Sequence, residues 1–183
     1  ATARAAGVAD RAAAAALAAF AGVARRFNVL GARGGVGVID DFAHNPVKIA
    51  ASLDTARGRL TGRGRLLAIF QPPGFGPTRF LKDALVATFQ EDLAPDDVLW
   101  LPEIFYAGGT VTRDISSADL VAGIAAGDRD ARFLPRREDL PAAVAAEARA
   151  GDLVLVMGAR DPSLTQLGRT ILRQLETKDR APS

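Results

Sequence analysis

Val38-Ile39-Asp40-Asp41-Phe42-Ala43-His44-Asn45-Pro46 is the stretch from which the rest of this chain is read. Apolar residues run into two carboxylates. The chain then meets Asn45, a strong helix N-cap, and Pro46, which suits the first helical position because it has no N–H to leave unpaired. From Val47 onward Ile49, Leu53 and Ala56 recur at three- and four-residue spacing, so one helix face can lie on a sheet. The segment therefore reads as a strand passing directly into a helix. Asp40, Asp41 and His44, the only histidine, fall at the carboxyl edge of that strand, where open α/β sheets bind ligands. The same residues also read as turn and capping groups, with the histidine a surface or packing residue. Spacing alone leaves both readings open.

Downstream, Arg65 to Phe70 is a continuous apolar run, as expected for a parallel strand covered on both faces. It ends in Gln71-Pro72-Pro73-Gly74-Phe75-Gly76-Pro77-Thr78-Arg79, whose Pro and Gly content predicts a rigid loop that exposes its backbone. A helix from Phe80 to about Leu93 follows, with Leu81, Leu85 and Phe89 as its buried stripe. Asp97 to Leu101 reads as a strand leading into a loop through Glu103 and Gly109, and Ser117 as the cap of a helix to about Ala126. Then come a short strand from Arg132 to Leu134, a helix from Glu138 to Ala150, and a strand from Asp152 to Met157. That strand opens into Gly158-Ala159-Arg160-Asp161, a last helix runs from about Leu164 to Leu175, and residues 177–183 read as a polar, disordered tail.

Upstream, Phe27 to Leu30 and Val36 to Asp40 are expected strands around Gly31-Ala32-Arg33-Gly34-Gly35. The glycines lack a following Lys-Ser/Thr and lead into a strand, so a β-hairpin is the better reading than a phosphate loop. Residues 1–24 are helical in character, with Asp10 a cap and Leu17, Phe20 and Val23 an apolar stripe. They are expected to be the end of a preceding domain and its hinge, within a longer chain.

Strands alternating with helices of about a dozen residues predict an α/β fold, a doubly wound, mostly parallel sheet of about six strands, Rossmann-like, with an N-terminal hairpin and helix. Right-handed crossovers then bring every strand-to-helix loop to one rim. Asp41, residues 71–79, Glu103 to Gly109 and Gly158 to Asp161 should share one cleft. Carboxylates and a histidine there, with Arg26, Arg79 and Arg160, suit an anionic polar ligand, since Arg pairs bidentately with carboxylate or phosphate.

Composition narrows the classes. A formal net charge of only +2, from scattered basic residues, argues against nucleic acid as a partner. The apolar run from Ala12 to Val23 is too short for a membrane span and lacks the basic lead of a signal peptide, so a cytoplasmic location is expected, with no membrane partner. Without cysteine there is no disulfide, thiolate metal site or Cys nucleophile. His44 has no Ser in a nucleophile-elbow motif, which weakens a hydrolase reading.

Asp41-Phe42-Ala43-His44-Asn45-Pro46 resembles the D-[YF]-A-H-N-P motif that opens the C-terminal domain of Mur ligases and the related folylpolyglutamate synthases. Gly22-Val23-Ala24-Arg25-Arg26-Phe27-Asn28-Val29-Leu30 is similar to the G-V-x-R-R-F-E-V-L linker of the same family. The doubled Asp followed by an aromatic looks most like its alanine-adding and murein-recycling members. The resemblance covers nearly the whole chain and implies an ATP-dependent carboxylate–amine ligase of peptidoglycan synthesis or recycling. Residues 25–176 would be its C-terminal domain, which closes over ATP and presents an amino-acid or peptide substrate. Carried across, the two motifs imply nucleotide contacts at Arg26, Asp41 and Asn45, a catalytic role for His44 and a substrate contact at Phe42; Arg79, Gly158 and Arg160, on the same rim, are the further substrate contacts expected. ATP and Mg would be bound mainly by the central domain of the parent chain.

Two departures stand out. No G-x-x-G-K-[ST] occurs, so this chain alone should not hydrolyse ATP. Gln71-Pro72 begins like the alanine-adding Q-P-H-R-Y-x-R loop, but Pro73, Gly74 and Pro77 stand where it has His, Arg and Arg, which leaves the acceptor open. The alternatives are a polyglutamyl-type ligase acting outside peptidoglycan, or a non-catalytic α/β module that binds a nucleotide or anion.

Overall fold

Gly34 and Gly35, at φ 56° and 71°, turn the chain in two residues between β1 (Asn28–Arg33) and β2 (Val36–Asp41). Such turns need positive φ at both central positions, and glycine adopts it without a steric penalty. The computed structural model describes residues 2–20 and 23–180. Gly22 of the linker motif and residues 181–183 of the expected tail lie outside the described residues.

Beside the hairpin lie β6 (Leu153–Gly158), β3 (Leu66–Gln71), β4 (Val98–Leu101) and β5 (Asp130–Phe133). Among the described residues they form one six-stranded sheet of order β1-β2-β6-β3-β4-β5, parallel except for β1. The expected doubly wound α/β sheet is therefore present.

Alternation along each strand divides the core in two. Leu66, Ala68, Phe70, Leu99, Leu101, Leu155 and Met157 face one side. They pack against Ile49 and Leu53 of α3 (Pro46–Arg57), Leu85 and Phe89 of α4 (Phe75–Asp92), and Leu120 and Ile124 of α5 (Ser117–Ala125). Leu67, Ile69, Val98, Trp100, Val154 and Val156 face the other side, against α6 (Leu140–Glu147) and α7 (Leu164–Arg180).

Several boundaries differ from the sequence reading. α4 begins at Phe75, so residues 75–79 are helix, not loop. Gly74 turns the corner at φ 143°, and Thr78 N–H already bonds Gly74 O at 3.0 Å. Pro77 is tolerated because a first-turn N–H has no helical partner to lose. The cap of α5 is Ser116, not Ser117. Its Oγ accepts from Ala118 N–H, while Asp119 accepts from Ser116 N–H at 2.8 Å, a reciprocal capping box. A 3-10 turn, Arg137–Asp139, precedes α6, which ends at Glu147. α7 continues to Arg180, so residues 177–180 are helical. Asp10 is the first residue of α2 (Asp10–Ala19), instead of its cap, and it pairs with Arg4 of the short α1 (Thr2–Ala5). Those two helices bury no residue, and Leu17, Phe20 and Val23 are exposed. No described helix is long and apolar enough to cross a membrane.

At the amino ends of the strands, Arg65 and Arg132 each approach Glu147 at 3.2 Å. The Arg132 hydrogen bond, aided by Arg65, holds the Glu147 carboxyl below its ordinary value of 4.5. A carboxylate whose pKa falls on folding stabilises above its unfolded pKa and loses that contribution as pH drops through the folded value. Glu147→Gln is therefore expected to lower stability by about 1 kcal/mol at pH 7. The gap from the parent should shrink below about pH 4, as urea midpoints measured across pH will show.

Candidate functional site

Because β2, β6, β3 and β4 run parallel, their carboxyl ends open on one rim. Asp41 lies opposite Met157 and Gly158 opposite Gln71, so three segments leave the sheet side by side. Asn45 is extended (φ −132°, ψ 160°), and its Oδ1 accepts Lys48 N–H at 3.1 Å. It acts as the cap its sequence position suggests.

Consecutive strand residues point to opposite faces, so the two aspartates have different environments. Asp40 is fully buried, with Oδ1 3.4 Å from Arg25 Nε and Oδ2 accepting Thr165 Oγ1 at 2.5 Å. Asp41 is half-buried on the α3 side, where Ser52 Oγ donates to its Oδ2 at 2.7 Å. Ser52 engages that one oxygen only, and the carboxylate stays at the rim as a hydrogen-bond acceptor.

His44 Nδ1 lies 2.8 Å from the Phe42 carbonyl. A carbonyl only accepts, so Nδ1 donates to it, and Nε2 is the ring nitrogen left to face the rim. The Phe42 ring meets His44 edge-on at 5.4 Å, with the Arg25 guanidinium 5.1 Å from its centroid. Asp41, Phe42 and His44 are thus held by α3, by the linker and by each other.

The neighbouring loops are cross-tied. Gln71 Nε2 donates to Glu103 O at 2.7 Å, and Phe105 N to Pro72 O at 3.0 Å. The Glu103 carboxylate accepts from Ile104 N, Ser117 N and Ser116 Oγ, so it anchors the start of α5 and is no free acid. Between Pro73–Pro77 and Phe105–Gly108 is a recess of about 150 Å³ with Arg160 in its lining. Arg113 stacks over Tyr106, 3.6 Å from the ring centroid, beside that recess.

The sequence-read arginines fare differently. Arg79 Nε donates to Asp114 at 2.9 Å, and Nη2 to Asp114 and to Thr112 O, so this cation ties α4 to the 112–114 loop. The same hydrogen bond holds the Asp114 carboxyl below its ordinary value. Arg160 and Arg26 are exposed, the latter in the turn where its N–H bonds Val23 O. Gly158 is glycine for a steric reason. A Cβ there would sit 2.7 Å from Leu164 Cδ1 and 3.0 Å from Gln71 O.

Arg25, Asp40, Thr165, Ser52 and Glu103 were missed as supports of this rim. Strand alternation was the one available signal, since it separates Asp40 from Asp41; nothing local marks the others. Among the described residues no group of three or more Asp, Glu or His is placed to hold a metal ion.

Residues 25–160 match the family described as Mur ligase, glutamate ligase domain. The UDP-N-acetylmuramate–L-alanine ligase of Sorangium cellulosum is 41% identical over 148 residues, which are 80% of this chain and 31% of that protein. The chain thus spans about a third of the length of the curated relatives it matches. The murein peptide ligase of Psychrobacter arcticus superposes with a TM-score of 0.64 at 25% identity, over 94% of this chain and 33% of that one. A UDP-N-acetylmuramate–alanine ligase of Thermotoga maritima has the same fold, with a TM-score of 0.70 at 20% identity over 97% and 36% of the two chains.

Proposed function

The chain belongs to the Mur ligase family, through its glutamate ligase domain, and on that premise we propose that it is the C-terminal domain of an ATP-dependent ligase. The parent enzyme joins a carboxylate to the amine of an amino acid or peptide, in peptidoglycan synthesis or recycling. The observation that carries this reading is the Asp41-Phe42-Ala43-His44 segment, fixed at a strand end beside the 71–74, 103–109 and 158–161 loops.

In such a reaction the γ-phosphoryl of ATP passes to the carboxylate, giving an acyl phosphate and ADP. The amine then attacks the carbonyl carbon, phosphate leaves, and the amine loses a proton. Residues 1–24 join this domain to a central domain that supplies the phosphate loop and the magnesium ligands. Residues from 25 onward form the closing half. Asp41 accepts hydrogen bonds from the ribose hydroxyls, and Arg26 reaches the nucleotide from the linker. Asn45 contributes by capping α3 and fixing the loop before it. Phe42 and His44 line the reacting centre, where Nε2 is suited to take the proton of the attacking amine. Gly158 and Arg160 face the acceptor, and Arg79 holds its loop in place. Closure of the two halves excludes water from an intermediate that water would hydrolyse.

Pro73, Gly74 and Pro77, in place of the polar anchors of the alanine-adding loop, leave the acceptor open between free L-alanine and another amine. A polyglutamyl-type acceptor outside peptidoglycan fits the same geometry. The ribose assignment is tested in the full-length protein. Asp41→Ala should raise KM for ATP about tenfold or more, the cost of one lost charge-assisted hydrogen bond; an unchanged KM refutes it.

A further inference from the structure

Arg25, the first residue of the linker pair, is the support of the rim that touches most of its segments. Its side chain is only 15% exposed. Nη2 donates to Gly158 O at 2.7 Å, Nη1 to Asp161 O at 3.1 Å and Ala159 O at 3.5 Å, and Nε lies 3.4 Å from Asp40 Oδ1. Its own carbonyl accepts Phe42 N–H at 2.8 Å. One residue therefore grips two loops, the 158–161 turn by its side chain and the Phe42–His44 segment by its main chain and by the guanidinium over the Phe42 ring, 5.1 Å from the centroid. Its partner Asp40 is fixed in turn by Thr165 of α7. The backbone is left-handed at Arg25 (φ 58°) and again at Phe27 (φ 50°). Non-glycine residues hold that conformation when their surroundings over-determine it.

We propose that Arg25 is a positioning residue, a latch that makes the linker from residue 25 onward part of the closing body. Arg26, the Asp41–Asn45 segment and the 158–161 loop then move together, and the pivot of closure lies before residue 25. The link to nucleotide binding rests on the function proposed above; the latch itself rests on the contacts just given. No other side chain type reproduces it. A lysine carries one compact ammonium and cannot span several carbonyls and a carboxylate in one plane.

Arg25→Gly and Arg25→Lys in the full-length protein test this by hydrogen–deuterium exchange and by titration with MgADP. Glycine satisfies the left-handed backbone and removes only the side chain, so it separates the turn from the latch. Both variants are expected to exchange about fivefold faster or more in peptides covering 41–45 and 158–163, with β3 and α5 unchanged. Their Kd for MgADP should rise about tenfold. Parent-like exchange in both loops of Arg25→Gly, or faster exchange in one loop alone, overturns the latch. A loss of protection spread through β3 overturns it too, since that marks a general structural role. If the parent protein itself binds no ADP, the nucleotide reading fails, and the exchange data still decide the latch.

Discussion

His44→Ala in the full-length enzyme is expected to lower kcat by about 10²-fold, the lower range for losing a positioned general base. KM for ATP should stay within about twofold, because the ribose contact is assigned to Asp41. The expectation follows from tautomer geometry. The Phe42 carbonyl, 2.8 Å from Nδ1, commits that nitrogen to donating and leaves Nε2 as the one ring nitrogen that can take a proton. His44 is half-buried at the rim and outside both core clusters, so its loss should leave the thermal midpoint nearly unmoved. His44→Gln is the informative companion. An amide can still donate to Phe42 O but offers no basic nitrogen, so it should be as slow as the alanine variant. A kcat near the parent value in His44→Gln would show that orientation, not proton transfer, is the contribution of this residue.

The largest effect on stability is expected at Asp97, far from the rim. Its carboxylate is 1% exposed and accepts Leu66 N–H at 2.8 Å, Ala94 N–H at 2.8 Å and Arg57 Nη2 at 2.7 Å. It thereby joins the entry of β3 to the turn before β4 and to the end of α3. Asp97→Ala leaves one buried and one part-buried N–H without an acceptor and one guanidinium without its counter-charge. Each amide left without an acceptor costs about 1–3 kcal/mol, so a loss of about 3 kcal/mol is expected, with Arg57, 36% exposed, adding little. Asp97→Asn keeps a single acceptor oxygen and turns an NH₂ toward another donor, so it should recover less than half of the loss. Urea denaturation at neutral pH measures both variants; a loss below about 1 kcal/mol for Asp97→Ala, the size of an exposed pair, would contradict the assignment.

The lessons of the two sites differ. At the rim, local chemistry was enough to place Asn45 as a cap, Pro46 as the helix start and the Asp41–His44 segment at a strand end. At Asp97 the sequence shows only the first residue of an apolar run. Its three donors come from Arg57, Leu66 and Ala94, and two of them lie more than thirty positions away.

What the sequence by itself determined is whatever depends on neighbours within a turn or two. That includes the hairpin through Gly34-Gly35, the alternation of buried strands with amphipathic helices, the parallel sheet they imply, and the gathering of the strand-end loops on one rim. Short-range sterics, capping and hydrophobic periodicity act before distant contacts form, so they can be read from residues in order. Only the tertiary structure decided which aspartate is buried against Arg25 and which stays at the rim, or that Arg79 is spent on Asp114. The same holds for the start of α4 at Phe75 and the grip of Arg25 on Gly158, 133 positions away. A charged side chain takes whichever partner the fold brings within about 3 Å, and that choice is made by packing across the sheet, not by its neighbours in the chain.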